Sequence, residues 1–149
     1  MNVEYFDRLR ARLHSGFATV GDSVLSDVAG FAWNASFLDR SIQFQFSAIL
    51  AFVPAGSLDE VLVFEASVTN TPSAKWTMDL VGNSLTVEDL RCQSEDWQSA
   101  MTSDPDLAAD AVFDFLARVR PLMIQELADW ARRNPPGPTG MTGLEERGD

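Results

Sequence analysis

One cysteine and one histidine are all the soft ligand chemistry this chain carries, at Cys92 and His14. A lone cysteine cannot close an internal disulfide, which fits a reducing compartment. Two soft ligands are too few for the usual zinc centres, and a Cys-His catalytic pair would need the fold to join distant segments. No Gly-x-Ser-x-Gly elbow presents a serine to His14, and neither a Gly-x-x-x-x-Gly-Lys phosphate loop nor a Gly-x-Gly-x-x-Gly fingerprint occurs. No cofactor is expected. Long apolar runs are missing too: none reaches the roughly 18 to 20 residues that span a bilayer. The first residues lack a basic segment leading into an apolar run, so a cytoplasmic location without membrane contact is expected.

Lysine is nearly absent, one against ten arginines, which fits a GC-rich genome and carries no functional information. Acid dominates instead, with a net charge of −11 over 149 residues. Phosphate backbones are bound by excess lysine and arginine, so nucleic acid is not an expected partner. The acid is also localised. Residues 59–114 hold twelve carboxylates against Lys75 and Arg91, whereas residues 1–58 net −1 and residues 115–149 balance. A surface of one sign attracts a basic partner from a distance and sets association rate and partner choice more than it sets fold.

The hydrophobic pattern places the elements. Val3, Phe6, Leu9 and Leu13 recur at helical spacing, and Gly16 stands where a helix would stop, predicting a first helix over about Val3 to His14. Glu4 lies four residues before Arg8, where a helical ion pair would form. Residues 17–30 satisfy neither period and read as loop with at most one short strand. From Phe31 the period becomes two, through Trp33, Ala35 and Phe37, and Asp39-Arg40 reads as a turn. A second strand follows from Ile42 to Val53. Its latter half is apolar on both faces and so expects a cover. Leu62 to Val68 make a third strand and Lys75 to Leu80 a fourth. Gly82-Asn83 then suits a type II′ hairpin into a fifth over Ser84 to Glu88.

After Ser94 a short helix would carry Trp97 and Met101. Asp104-Pro105-Asp106 reads as the start of the last helix: a cap, a proline whose missing donor costs nothing there, and an acid at the positive dipole end. Its apolar surface continues to Trp130, with Pro121 expected to kink it near Ala117 to Pro121 or divide it in two. Pro135-Pro136-Gly137-Pro138 ends it. The expected fold is therefore α+β: one globular domain over 1–134 with an N-terminal helix, a five-stranded antiparallel meander and a long kinked C-terminal helix on one sheet face. Residues 135–149 are expected to be a disordered tail.

Candidate binding residues come from the acidic region. Asp106, Asp110 and Asp114 lie four apart on one helix face and lead to Arg118. They form either an acidic stripe for a partner or a solvated face with an Asp114–Arg118 pair. Trp97, beside Glu95 and Asp96, reads either as an apolar anchor in a charged rim or as a plug on the sheet edge. Asp59-Glu60 reads as solubility near a turn. Trp33, Trp76 and Trp130 fall on faces expected to be buried. Two function classes follow. The first is a non-enzymatic protein that binds a basic protein partner, as bacterial immunity and antitoxin proteins or secretion-type chaperones do; this rests on size and charge, and no motif assigns a family. The alternative is a small-molecule binder or enzyme with an apolar cavity between sheet and last helix, lined by Phe44, Phe46, Phe64, Trp76 and Met78. A homodimer joined at a sheet face or edge is a third possibility.

Overall fold

The computed structural model describes residues 3–40, 45–70, 74–82, 91–92 and 104–135. Helix α1 (Val3–Leu25) leads into strands β1 (Phe31–Arg40), β2 (Gln45–Pro54), β3 (Leu62–Asn70) and β4 (Ala74–Gly82), and helix α2 (Pro105–Arg133) follows. The strands form an antiparallel sheet in chain order, as short links between consecutive strands require. Register runs from Phe31 opposite Pro54 to Arg40 opposite Gln45, from Phe52 opposite Leu62 to Gln45 opposite Thr69, and from Leu62 opposite Gly82 to Asn70 opposite Ala74. Arg91–Cys92 add a two-residue antiparallel bridge to Met78 and Asp79. The expected fifth strand at 84–88, the turn residue Asn83, the short helix after Ser94 and the tail beyond Pro135 lie outside the described residues. Among the described residues no helix is long and apolar enough to cross a membrane.

Alternation sorts the sheet's two faces. Phe46, Ala48, Leu50 and Phe52 of β2 and Leu62, Phe64 and Ala66 of β3 point to the helix side and are buried. Ala51 and Val53, on the other face, are buried as well, in the half of β2 that reads as apolar on both sides. The core is built from aromatic rings. Phe6 stacks on Phe46 at 5.7 Å, Phe17 meets Phe64 edge-on at 6.0 Å, and Phe115 of α2 tilts over Phe64 at 5.6 Å. Burying each such ring contributes roughly 1.5–3 kcal/mol, so these residues hold both helices to one face of the sheet.

Two expectations are corrected. Gly16 does not end α1, which continues to Leu25 through residues read as loop. The reason is packing: Phe17 and Val24 carry the buried stripe onward, and the glycines serve close approach. A Cβ at Gly16 would lie 2.1 Å from the Phe113 ring, and one at Gly21 would lie 2.5 Å from Cγ of Trp33. Asp39-Arg40 is not a turn either. Both residues belong to β1 and pair with Phe46 and Gln45, because the β1–β2 ladder outlasts the apolar alternation that marked the strand.

The start of α2 follows the sequence reading. Asp104 is the cap, its carboxylate accepts from the Asp106 N–H at 2.9 Å, and Pro105 occupies the first turn. The helix is continuous across Pro121 to Arg133, so it is one element and not two.

Candidate functional site

The two helices lie side by side and run in the same direction, since Arg8 meets Asp106, Arg12 meets Asp110, Gly16 meets Phe113 and Ser23 meets Arg120. Parallel neighbours bring like dipole ends together. Asp106, in the first turn of α2, places a carboxylate there. Arg8 grips it with two nitrogens, Nε at 3.1 Å from both oxygens and Nη2 at 2.9 Å. Arg12 forks between Asp106 at 3.0 Å and Asp110 at 2.7 Å. The spacing of four on each helix sets two arginines against two aspartates, one helical turn apart on each side.

These contacts set the charge states. Hydrogen bonds from Arg8 and then Arg12 hold the Asp106 carboxyl below its ordinary value, while the Asp106 bond raises Arg8 and the Asp110 and Asp106 bonds raise Arg12. The group is solvent-accessible, so the stabilisation is modest and screened by salt. A depressed carboxyl stabilises the fold fully above its unfolded value near 3.8 and loses that contribution as pH falls through its folded value. Asp106→Asn is therefore expected to lower Tm at neutral pH by about a few degrees at most, with the deficit shrinking as pH falls below the unfolded value near 3.8. Thermal melts across pH test this, and a deficit that persists in acid would assign the loss to something other than the ion pair.

The two helices also enclose a shallow groove of about 400 Å³, lined by Arg8, Ala11, Arg12, Ser15, Gly16 and Phe113. Its charged wall is already neutralised by Asp106 and Asp110. Further along, Arg120 donates to the Ser23 carbonyl at 2.9 Å, to the Ser23 hydroxyl and to Asp27, joining the end of α1 to the middle of α2.

Each candidate residue now has a place. Asp106 and Asp110 are held by the protein's own arginines, and Arg8 pairs with Asp106 in place of the expected partner Glu4. Asp114 is exposed and forms no hydrogen bond or ion pair among the described residues. Its expected partner Arg118 lies over the Phe115 ring instead, 5.7 Å from the centroid. Glu95, Asp96 and Trp97 lie outside the described residues. His14 is exposed, its ring 6.0 Å from that of Phe37. Of the residues expected to line a cavity, Phe46 and Phe64 are buried in the ring stack, and the side chains of Phe44, Trp76 and Met78 lie outside those described. Trp33 and Trp130 are half-buried; Trp130 meets Phe31 edge-on at 5.7 Å. Among the described residues no three His, Cys, Asp or Glu side chains converge as a metal site.

Two residues escape the sequence reading. Glu126 is the one charged side chain buried among the described residues, on the face of α2 that carries Met123 and Leu127. Leu58 is 94% exposed, the most exposed large apolar residue described. It stands in the β2–β3 loop after Gly56, whose φ of +82° suits glycine, and directly before exposed Asp59 and Glu60. Its signal was a large apolar residue directly after the Pro54-Ala55-Gly56-Ser57 break, where nothing local could bury it.

No family model, curated protein or solved structure matches the chain. Geometry and charge therefore carry the functional reading.

Proposed function

We propose that this is a non-enzymatic, acidic protein-binding protein, working in the cytoplasm on a basic protein partner in the manner of an immunity or antitoxin-like inhibitor or a secretion-type chaperone. One observation carries the reading: Leu58 projects fully into solvent with Asp59 and Glu60 beside it, at the point where the acidic stretch of the chain begins. Burying an exposed apolar side chain supplies contact area, and an acidic rim supplies approach rate toward a basic partner. Of the helical aspartates, Asp114 is open to a partner. A cation reaching Asp106 or Asp110 must displace Arg8 or Arg12.

The finer features of the fold belong to the same proposal. A fifth strand from the 84–88 alternation would extend the acidic side of the sheet. A bend in α2 would follow from Pro121, which has no N–H to give to Ala117 four residues back.

Affinity capture from native lysate at about 50 mM and about 500 mM salt is the test. A basic protein held at low salt and released at high salt is expected. Leu58→Asp and the double reversal Asp59→Arg/Glu60→Arg should each weaken its capture at least about tenfold, a loss of about 1.4 kcal/mol. Capture indifferent to both substitutions and to salt would remove the loop and the acid from the mechanism.

A further inference from the structure

Among the described residues β1 is an edge strand, ten residues long, and no group hydrogen-bonds to its outer side. Proteins ordinarily blunt such an edge with lysine, proline, a bulge or an inward charge. Phe31 to Leu38 contain none of these. The side chains facing away from the helices, Ala32, Asn34, Ser36 and Leu38, are uncharged and exposed, and Trp33, Ala35 and Phe37 on the helix side are only half-buried.

The surroundings say what can pair there. Helix α1 crosses over β1 in the opposite direction: Arg10 sits 5.6 Å above the Phe37 ring, and Asp22 accepts from the Trp33 indole N–H at 2.8 Å. Arg10 and Asp22 are both exposed. The rim of the edge is thus positive at the Phe37 end and negative at the Trp33 end. Such a rim complements its own copy turned through a half-rotation. The acid excess does not oppose this approach, because residues 1–58 net only −1 and the acidic stretch begins beyond β2, with β3 and β4 on the far side of the sheet.

We infer that the protein forms a two-fold homodimer in which β1 pairs antiparallel with β1 of a second copy, with Ala35 opposite itself. Directly opposed residues in an antiparallel pair share a face, so this register sets Trp33 against Phe37 of the other copy on the helix side, and Asn34 against Ser36 on the other. Trp33 and Phe37 are about 14 Å apart along the strand, and Arg10 and Asp22 about 18 Å apart along α1. Because Arg10 stands at the Phe37 end and Asp22 at the Trp33 end, a two-fold through Ala35 sets Arg10 of each copy beside Asp22 of the other. The interface is isologous and closes, leaving no growing edge at β1. It is separate from the β2–β3 loop, and its failure would leave the proposed partner site untouched.

Sedimentation equilibrium of the full chain tests the register as well as the state. The wild type is expected to dimerise. Asn34→Lys/Ser36→Lys opposes like charges at both symmetric pairs and should raise the dimer dissociation constant at least about tenfold. Asn34→Lys/Ser36→Glu opposes unlike charges at the same positions and should dimerise like the wild type. Both variants change only exposed side chains and share the substitution at position 34, so a folding defect there would affect them alike. A wild type monomeric at about 100 μM, well above the dissociation constants of specific dimers, would overturn the inference. So would a dimer indifferent to the double lysine variant, or equal weakening by both.

Discussion

Replacing Phe64 with alanine is expected to lower the unfolding free energy by about 3–5 kcal/mol, the range for removing a large aromatic from a packed interior. Phe64 is fully buried in the first half of β3, between Leu50 and Leu80 on the neighbouring strands, both buried. Its ring is where the two helices meet the sheet, with Phe17 edge-on at 6.0 Å from α1 and Phe115 at 5.6 Å from α2. Truncation removes contacts to both helices at once, and neither can close the gap without pulling the other from its seat. Native domains have only about 5–15 kcal/mol in hand, so Phe64→Ala sits near the limit of foldability. Urea unfolding checks it: the midpoint should fall with little change in slope. Phe64→Leu, which keeps part of the volume, should lose distinctly less. Leu122→Ala, at a side chain 51% exposed, should change stability by no more than about 0.5 kcal/mol. A loss below about 1 kcal/mol for Phe64→Ala would mean that this stack is not a tightly packed junction.

What the sequence made legible divides by whether the signal is local. Strand alternation is local, and each of β1 to β4 overlaps the stretch that shows it, although β1 runs on through Asp39-Arg40. The start of α2 is local too: a cap, a proline and an aspartate identify the first turn from three residues. Glycine in α1 is the opposite case. Gly16 and Gly21 disfavour a helix by intrinsic propensity, Gly16 reads as a helix stop, and residues 17–30 show neither period. Their compensation lies in Phe113, nearly a hundred positions on, and in Trp33 of the next element, which no window on α1 contains. The candidate site behaved likewise. Spacing of four made Asp106 and Asp110 one face of a helix and Arg8 and Arg12 one face of another, yet nothing in the sequence said that the two faces meet. Glu126 occupies a stripe position that the pattern reserves for apolar residues, and Leu58 a loop position that it reserves for polar ones. Both are violations of a local rule, the kind of residue that a search for motifs passes over.

Gly21→Ala is expected to destabilise the protein although alanine is the better helix former. Propensity alone favours the alanine by about 1 kcal/mol. Against it stands the space: Gly21 is buried, and a Cβ there would sit 2.5, 2.6 and 2.7 Å from Cγ, Cδ1 and Cδ2 of Trp33. These atoms are at the root of the indole, so rotating the far end of the ring does not clear them. The ring is also held by its N–H donation to Asp22, one residue along the same helix. Either α1 lifts from β1 or Trp33 leaves its rotamer, and overpacking of this kind costs about 1–3 kcal/mol. The net loss should be about 1 kcal/mol, read from urea unfolding. A second background decides the cause. With Trp33→Ala the obstacle is gone and propensity is left, so Gly21→Ala should there stabilise by up to about 1 kcal/mol, a reversal of sign within one double-mutant cycle. Should the alanine stabilise both backgrounds equally, α1 would stand farther from β1 than these distances state, and the contact between Gly21 and Trp33 would no longer account for a glycine near the C-terminal end of that helix.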